Sequence, residues 1–343
     1  MVSKSTINFY RSVKESLDAV GPAMCLAKWY HITLHLENGH NHSCHHPKTH
    51  KIPLESLSDP SNLHNTHHKK SVRKTMLAGK RHDEWRYCWN IEDTSQAKQS
   101  DRVLKSGFEV LENKNIVAET VAVGLANVVP TLLEVSFSYV CNFKCSYCSA
   151  DVSSRWMKEL QKHGPYPTEY PMINIEQIQR DDKMPIGEKE PNPYRDAFWK
   201  WWPELYPQLN TLRVTGGEPL LHNDLFKLLD EIIANPRPDL EFAINSNLGV
   251  PNKLWQKFLD KIQQIMQAGA VKHFTLYTSC ESHGKQAEYI RFGLDYNQWY
   301  KNCEQFLSTI PNSDISIMTT YNAMSVPGYL GFLNDIAALK RKH

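Results

Sequence analysis

The sequence carries almost no net charge. Its 39 lysines and arginines against 37 aspartates and glutamates leave +2 over 343 residues, which removes the electrostatic ground for nucleic acid or an anionic membrane as the main partner. The amino terminus lacks an apolar core followed by a small-residue cleavage site, so no secretory signal is expected. No internal repeat is found. Long hydrophobic runs are also scarce. Residues 121–140 are apolar enough, and about long enough, for a membrane span, but Asn127, Pro130 and Glu134 interrupt them. Their second half carries the valines and aromatic residues of a strand, so no membrane partner is expected. There is no disulfide framework either. Eight cysteines, three of them in one short run, fit a reducing cytosol, and the protein is expected to be soluble and cytoplasmic. The length suits one large or two modest domains.

What is present begins with Cys141-Asn-Phe-Lys-Cys145-Ser-Tyr-Cys148. Three thiols at this spacing on one loop can ligate three irons of a 4Fe-4S cubane and leave the fourth iron without a ligand from the motif. A cluster with four cysteine ligands ordinarily carries electrons; one with an open iron can bind a substrate. A zinc knot or three incidental buried thiols are the alternatives. Zinc sites usually pair two separated knuckles, and no cysteine lies between Cys148 and Cys280.

From residue 132 onward, strand-like runs (132–140, 212–214, 240–244, 274–278 and 315–320) alternate with helical periods (224–234, 253–267, 297–307 and 327–342). In the second of those helices Leu254, Phe258, Ile262 and Ile265 share one face. The alternation predicts a parallel sheet. Polar clusters follow the strands: the cysteine loop, Thr215-Gly-Gly-Glu-Pro219, Asn245-Ser-Asn247, Ser279-Cys-Glu281 and Tyr321-Asn322. In barrels of βα units chemistry sits at the carboxyl ends of the strands, so all five point to one mouth. The paired glycines allow unusual backbone angles and close approach, and Glu218 can accept from an ammonium.

The chain before that point is rich in His and Lys. It holds 11 of the 16 histidines between His31 and His82 and reads as a separate small domain. The expected division is therefore 1–128 and 129–343, with an insertion around 157–200. Phe198-Trp-Lys-Trp-Trp202 is expected to be a packed helix face. The six basic residues of 69–81 are expected to form a solvated face, with Val72, Met76 and Leu77 turned inward. Cys25, Cys44 and Cys88 lie here, and the run His40-Asn-His-Ser-Cys-His-His46 is a zinc alternative.

With Thr215-Gly216-Gly217-Glu218-Pro219 following a strand about 70 residues after the cysteine loop, the chain resembles the radical S-adenosylmethionine (radical SAM) superfamily. The resemblance implies an α/β fold, a partial (β/α) barrel of five to six βα units preceded by a small α+β metal-binding domain. It implies a 4Fe-4S cluster on Cys141, Cys145 and Cys148. It also implies contacts to S-adenosylmethionine from Tyr147 near the adenine, from Gly216, Gly217 and Glu218 at the amino group, from Asn247 and Ser279 at strand ends, and from Arg291 at the methionine carboxylate. The implied activity is reductive cleavage of S-adenosylmethionine to a 5'-deoxyadenosyl radical that abstracts hydrogen from a substrate, an oxidoreductase-type reaction fed by a donor such as flavodoxin or ferredoxin. No side chain is nominated as a general acid or base.

Cys25-Leu-Ala-Lys-Trp29, Cys44 and Trp85-Arg-Tyr-Cys88 resemble the twitch module, a shortened relative of the SPASM domain. That likeness implies an auxiliary 4Fe-4S cluster, two clusters in all, and a peptide as one class of substrate. Trp85 stands where the module's usual closing Cys-x-x-Cys has its first cysteine, which leaves the fourth ligand to His45 or His46, leaves it open, or marks the cluster as lost. Five strands are counted where the resemblance implies six βα units, so a truncated or more open barrel is expected. The alternative function is an iron-sulfur or zinc-binding protein without turnover.

Overall fold

The computed structural model describes residues 3–95, 98–167 and 174–343. Two compact units divide the chain. One comprises Met1–Leu34, Gly39–Leu133 and Pro193–Leu209, and the other His35–Asn38, Glu134–Asn192 and Asn210–His343.

The first unit is mainly helical, with α1 (Lys4–Val20), α2 (Ala27–Tyr30), α3 (His67–Leu77), α4 (Arg86–Glu92), α5 (Asp101–Glu112) and α6 (Ile116–Val123). Its short strands are β1 (His31–His35), β2 (His40–His42) and β3 (His50–Lys51), with β2 and β3 antiparallel. Ser3 starts α1 by accepting from the Thr6 N–H at 3.1 Å, satisfying a backbone donor that the first turn leaves free. The unit's core packs Leu17, Met24, Trp29, Val72, Met76 and Val103. Buried Arg102 ties α5 to its neighbours: its guanidinium reaches Glu92 on α4 at 2.6 Å and Asp18 on α1 at 2.7 Å.

Helix α3 corrects one expectation. Val72 and Met76 do point inward, but so do Lys69 and Arg73, the latter with no exposed surface. Lys69 Nζ donates to His64 Nδ1 at 2.8 Å, and Arg73 donates to the Lys28 carbonyl and to Asn65 Oδ1, each at 3.0 Å. Hydrogen bonds to the His64 ring and to backbone and amide oxygens are what make these cations tolerable inside. Burial, with Arg73 and Lys28 nearby, pushes the Lys69 pKa well down.

In the second unit the strands β4 (Leu132–Ser136), β6 (Thr211–Thr215), β7 (Arg237–Ser246), β8 (Val271–Ser279) and β10 (Ser313–Met318) lie side by side in chain order, and β6, β7, β8 and β10 pair in parallel. The expected parallel βα sheet is present. Among the described residues β10 is an edge strand, and β4 and β10 are not neighbours. A separate antiparallel pair joins β5 (Lys144–Cys145) to β9 (Arg291–Phe292), setting Cys145 opposite Arg291.

The register sorts the two faces of the sheet. Leu212, Phe242 and Phe274 form one row, and Val214, Ile244 and Leu276 the next, all buried. The helices α10 (Asn223–Ala234), α11 (Asn252–Gln267) and α13 (Tyr296–Thr309) follow strands of this sheet, and Phe258 on α11 and Phe306 on α13 pack with tilted rings against Phe274. On α11, Trp255 and Leu259 join Phe258, Ile262 and Ile265 in the buried stripe, whereas Leu254 is half-buried. The alternate residues Arg213, Asn245, Tyr277 and Ser279 face the other way, as the two-residue period of a strand requires. Arg213 lies over the Tyr277 ring at 4.2 Å and reaches Glu134 at 3.4 Å.

The expected insertion is helical. After the cysteine loop come α7 (Ser154–His163) and α8 (Ile175–Arg180), where Trp156, Met157 and Leu160 pack against Ile178. Helix α9 (Pro193–Leu205) belongs by contact to the first unit and buries Phe198, Trp201 and Trp202, the packed face expected of that aromatic run. Residues 168–173, inside the expected insertion, lie outside the described residues. Helices α12 (Gly284–Ile290) and α14 (Val326–Lys342) complete the chain.

Candidate functional site

At the carboxyl ends of the parallel strands a cavity of about 380 Å³ is lined by Cys141, Cys145 and Cys148 together with Tyr147, Gly216, Gly217, Asn247, Ser279 and Arg291. Nine of the residues expected at the core site therefore share one cavity, and Asn245, Met318 and Thr320 complete its strand-end wall. The loop is held by its own backbone and neighbours. The Phe143 N–H donates to Cys141 Sγ at 3.4 Å, Ser153 Oγ donates to the Phe143 carbonyl at 2.9 Å, and Trp156 Nε1 donates to the Cys145 carbonyl at 2.8 Å.

The glycines are needed here for a reason beyond ligand approach. A Cβ on Gly217 would meet the Val140 carbonyl oxygen at 2.4 Å and Tyr139 backbone atoms at 2.7 Å. Gly216, at φ +135, would set one 2.8 Å from Ser136 Oγ. The turn packs against the chain that leads into the cysteine loop, with Gly217 N–H donating to the Ser138 carbonyl at 3.1 Å and Glu218 N–H to the Val140 carbonyl at 2.8 Å. The glycine pair therefore fixes where the loop starts.

Glu218 is the residue expected to contact the cofactor's amino group. It is buried and does not line the cavity. Its carboxylate accepts from the Asn247 N–H at 2.6 Å, from Ser246 Oγ at 2.8 Å and from the Leu220 N–H at 3.1 Å, bracing the end of β7 from behind. Burial pushes its pKa up to about 7 against those hydrogen bonds. Asn245 does line the cavity, and its buried Oδ1 has no hydrogen-bond partner among the described residues.

Arg291 also has a different partner from the expected carboxylate of a cofactor. Its Nε and Nη2 atoms engage Glu281 at 3.0 and 2.9 Å, while Nη1 lies 3.8 Å from Cys145 Sγ. Tyr147 donates to the same Glu281 oxygen at 2.9 Å and lies with its ring 5.3 Å from the guanidinium. Glu281, fully buried, thus anchors two cavity residues, and the sequence offered it only as a member of the Ser279-Cys-Glu281 cluster. Burial pushes the Cys141 and Cys148 thiols up to about 12; it raises Cys145 too, which Arg291 draws back. Three sulfur donors on one wall, an unpaired acceptor and a cavity beside them fit an iron-sulfur centre with room for a further ligand.

In the first unit Cys25, Cys44 and Cys88 line a void of about 20 Å³ with Lys28, Trp85, Asp101, Arg102 and Lys105. Lys105 Nζ donates to Cys44 Sγ at 3.4 Å. Burial raises Cys25 to about 11, with Cys88 and Cys44 adding to the shift. Burial also lowers Lys28 to about 8, and Cys25 and Cys44 pull it back up. Trp85 fills one wall of this void under the Lys28 ammonium, 4.3 Å from its ring. Neither histidine expected as fourth ligand lines the void, but the ligand atoms of His46, Cys44 and Asp101 lie within 4.8 Å of one another, so His46 is within reach of a metal held there. The His45 ring packs edge-on against His42 at 5.0 Å; His46 stacks on Tyr87 at 3.6 Å, and its Nε2 lies 2.8 Å from Asp101 Oδ2. Asp101, which the sequence reading did not single out, does line it. The donor chemistry of three thiols and a carboxylate fits a thiophilic metal centre.

No helix among the described residues is long and apolar enough to cross a membrane. No protein-family model matches the chain, and no solved structure is significantly similar to it. Two curated proteins are similar over 128 residues at 27% identity, the GTP 3',8-cyclases of Sulfurovum sp. (strain NBC37-1) and Sulfurimonas denitrificans. The match covers 37% of this chain and 30% of each relative, so the chain spans well under half of their length. This distant similarity to GTP 3',8-cyclase supports the resemblance of the chain to radical SAM enzymes.

Proposed function

We propose that the protein is a radical SAM enzyme whose second unit holds a 4Fe-4S cluster on Cys141, Cys145 and Cys148 and binds S-adenosylmethionine in the adjoining cavity. The observation that carries this reading is the convergence of the three thiols, the Gly216–Gly217 turn and the ends of β7, β8 and β10 on one cavity. When bound, the cluster supplies the electron that cleaves the sulfonium and starts hydrogen abstraction.

The protein's own part is to bind, orient and exclude water. Asn245 Oδ1 is the acceptor for the cofactor's ammonium, the task the sequence assigned to Glu218. Asn247 Nδ2 lies 3.8 Å from Cys141 Sγ and 2.9 Å from Asn142 Oδ1, which steadies the first thiolate. Arg291, locked by Glu281, presents Nη1 to Cys145 and places positive charge beside a centre of thiolates. Ser279 offers a hydroxyl at the end of β8, and Tyr147 an aromatic face next to the third cysteine.

In the first unit, Cys25, Cys44 and Cys88 hold an auxiliary iron-sulfur centre, with Asp101 in place of the closing cysteine that Trp85 replaces. The cations Lys28 and Lys105 suit the negative charge of such a centre. The substrate class proposed is a peptide, which rests on the likeness of this unit to twitch modules; an electron donor such as flavodoxin or ferredoxin and a cytosolic setting follow from the same chemistry. GTP cyclisation is the activity named for the relatives, and a match over 30% of their length does not bring it here.

The test is anaerobic incubation of reconstituted protein with dithionite and S-adenosylmethionine. Formation of 5'-deoxyadenosine by the wild type and its loss in Cys141→Ala/Cys145→Ala/Cys148→Ala is the expected result. Bound iron and sulfide without any 5'-deoxyadenosine would favour a protein that keeps clusters but not turnover.

A further inference from the structure

Away from both cysteine pockets, three elements of the first unit bring His50, His68 and Glu84 together. His50 lies on β3, His68 in the first turn of α3, and Glu84 in the single 3-10 turn Asp83–Trp85. The Nε2 atoms of His50 and His68 lie 3.3 and 3.5 Å from the same oxygen, Glu84 Oε2. The ligand atoms of all three lie within 4.8 Å of one another, and the two imidazoles stack at 3.6 Å with 28° between their planes.

Both contacts are long for hydrogen bonds, at 3.3 and 3.5 Å. Imidazole N–H to carboxylate contacts ordinarily fall at about 2.7–3.2 Å, as His46 to Asp101 does at 2.8 Å. Zinc bonds to imidazole nitrogen and carboxylate oxygen are about 2.0–2.1 Å, so donors at adjacent corners of a tetrahedron stand about 3.3–3.4 Å apart. His50 meets Glu84 at that spacing and His68 at 3.5 Å, and the stacked imidazoles have only to swing apart at their outer edges for both nitrogens to face one tetrahedral ion. The three side chains are 28%, 36% and 23% exposed, so an ion can reach them and a water can take the remaining corner.

The Glu84 backbone is fixed as well, its N–H donating to His82 Nδ1 at 3.2 Å. Two imidazoles and one carboxylate are a donor set that zinc accepts readily.

We propose that His50, His68 and Glu84 form a zinc(II) site, with water as fourth ligand, that ties β3 to the start of α3 and to the turn at residues 83–85. It is independent of the iron-sulfur centres and of S-adenosylmethionine. Its role is structural: it joins positions 50, 68 and 84, which no continuous element connects.

Cobalt(II) titrated into metal-stripped, full-length protein tests it, because cobalt reports its ligands by colour. Beyond any cobalt taken by the thiols, the site should take one equivalent with ligand-field bands of a four-coordinate N and O environment, a signal that persists without thiolate-to-cobalt charge transfer when Cys25, Cys44, Cys88, Cys141, Cys145 and Cys148 are all replaced by Ala, and zinc should displace it. Cys25→Ala/Cys44→Ala/Cys88→Ala should keep this signal. His68→Ala and Glu84→Gln should each weaken it more than about a hundredfold, since a lost ligand costs more than a lost outer-shell contact. Far-UV circular dichroism checks that each variant is folded, and a chelator should lower the wild-type Tm but not theirs. Binding that is unchanged in both variants, binding that shows only thiolate charge transfer, or no binding to folded wild type would overturn the proposal.

Discussion

The two cysteine triads share a donor set and differ in the space around it. Cys141, Cys145 and Cys148 open onto about 380 Å³ bordered by strand ends, glycines and amides; Cys25, Cys44 and Cys88 enclose about 20 Å³ bordered by lysines, an arginine and two tryptophans. The first arrangement leaves room for an organic ligand beside an inorganic centre. The second has no such room and surrounds the thiols with positive charge. Two triads of thiols are thus given different surroundings, one open to a small molecule and one closed and bordered by charge.

The largest effect expected on this comparison is in the second unit. Replacing Cys141, Cys145 and Cys148 with alanine should reduce 5'-deoxyadenosine formation to background, measured by chromatography after anaerobic reaction; turnover in that variant would end the distinction. Next is Glu281→Ala, which leaves the Arg291 guanidinium buried without its carboxylate. Urea unfolding should show a loss of about 3–5 kcal/mol.

Glu218 gives a pH-dependent test of the wall behind the cavity. Its folded pKa, raised to about 7 by burial, exceeds the ordinary carboxylate value. The folded state therefore favours the protonated acid, a contribution that is full below about pH 4.5 and lost as pH rises through about 7. Relative to Glu218→Gln, the wild type should lose roughly 3 kcal/mol across that window, read as the difference between two urea titration series. Equal pH slopes for the two proteins would contradict the burial argument.

The smallest effects contrast glycines of the two units. Gly217→Ala places a methyl group into the Tyr139–Val140 backbone and should cost about 1–3 kcal/mol and disturb the cysteine loop. Gly79→Ala, at φ +70 with nothing within 4 Å of the new carbon, should cost only about 1 kcal/mol through backbone strain. Thermal unfolding of the pair checks the order.

Much of the second unit was legible because its pattern is local. Strand runs such as 274–278 and the helical stripe of Phe258, Ile262 and Ile265 announce themselves by period, and the cysteine spacing and Gly-Gly-Glu turn mark the cavity directly. What stayed hidden depends on contacts distant in sequence. Asn245 and Asn247 flank Ser246 in the same strand end, yet only the fold decides that Asn245 keeps an unpaired acceptor beside the cavity. Likewise, Glu218 turns to Ser246 and Asn247, and Glu281 captures Arg291, because the register of separate strands sets those neighbours. Nor does the sequence show that buried Leu248 adopts φ +55, an angle usually left to glycine, with its N–H and carbonyl held by Ser246 and Asn302. Lys69 and Arg73 looked like a solvated face because charge pattern alone does not reveal His64 and the backbone oxygens that receive them.

Electron paramagnetic resonance of anaerobically reconstituted, dithionite-reduced protein, recorded with and without S-adenosylmethionine, tests the division of labour most directly. The account predicts one 4Fe-4S signal that shifts with the cofactor and disappears in Cys141→Ala/Cys145→Ala/Cys148→Ala, and a second, cofactor-insensitive signal that disappears in Cys25→Ala/Cys44→Ala/Cys88→Ala. Folded protein whose spectrum does not respond to S-adenosylmethionine, or whose cofactor-sensitive signal survives loss of Cys141, Cys145 and Cys148, would contradict it.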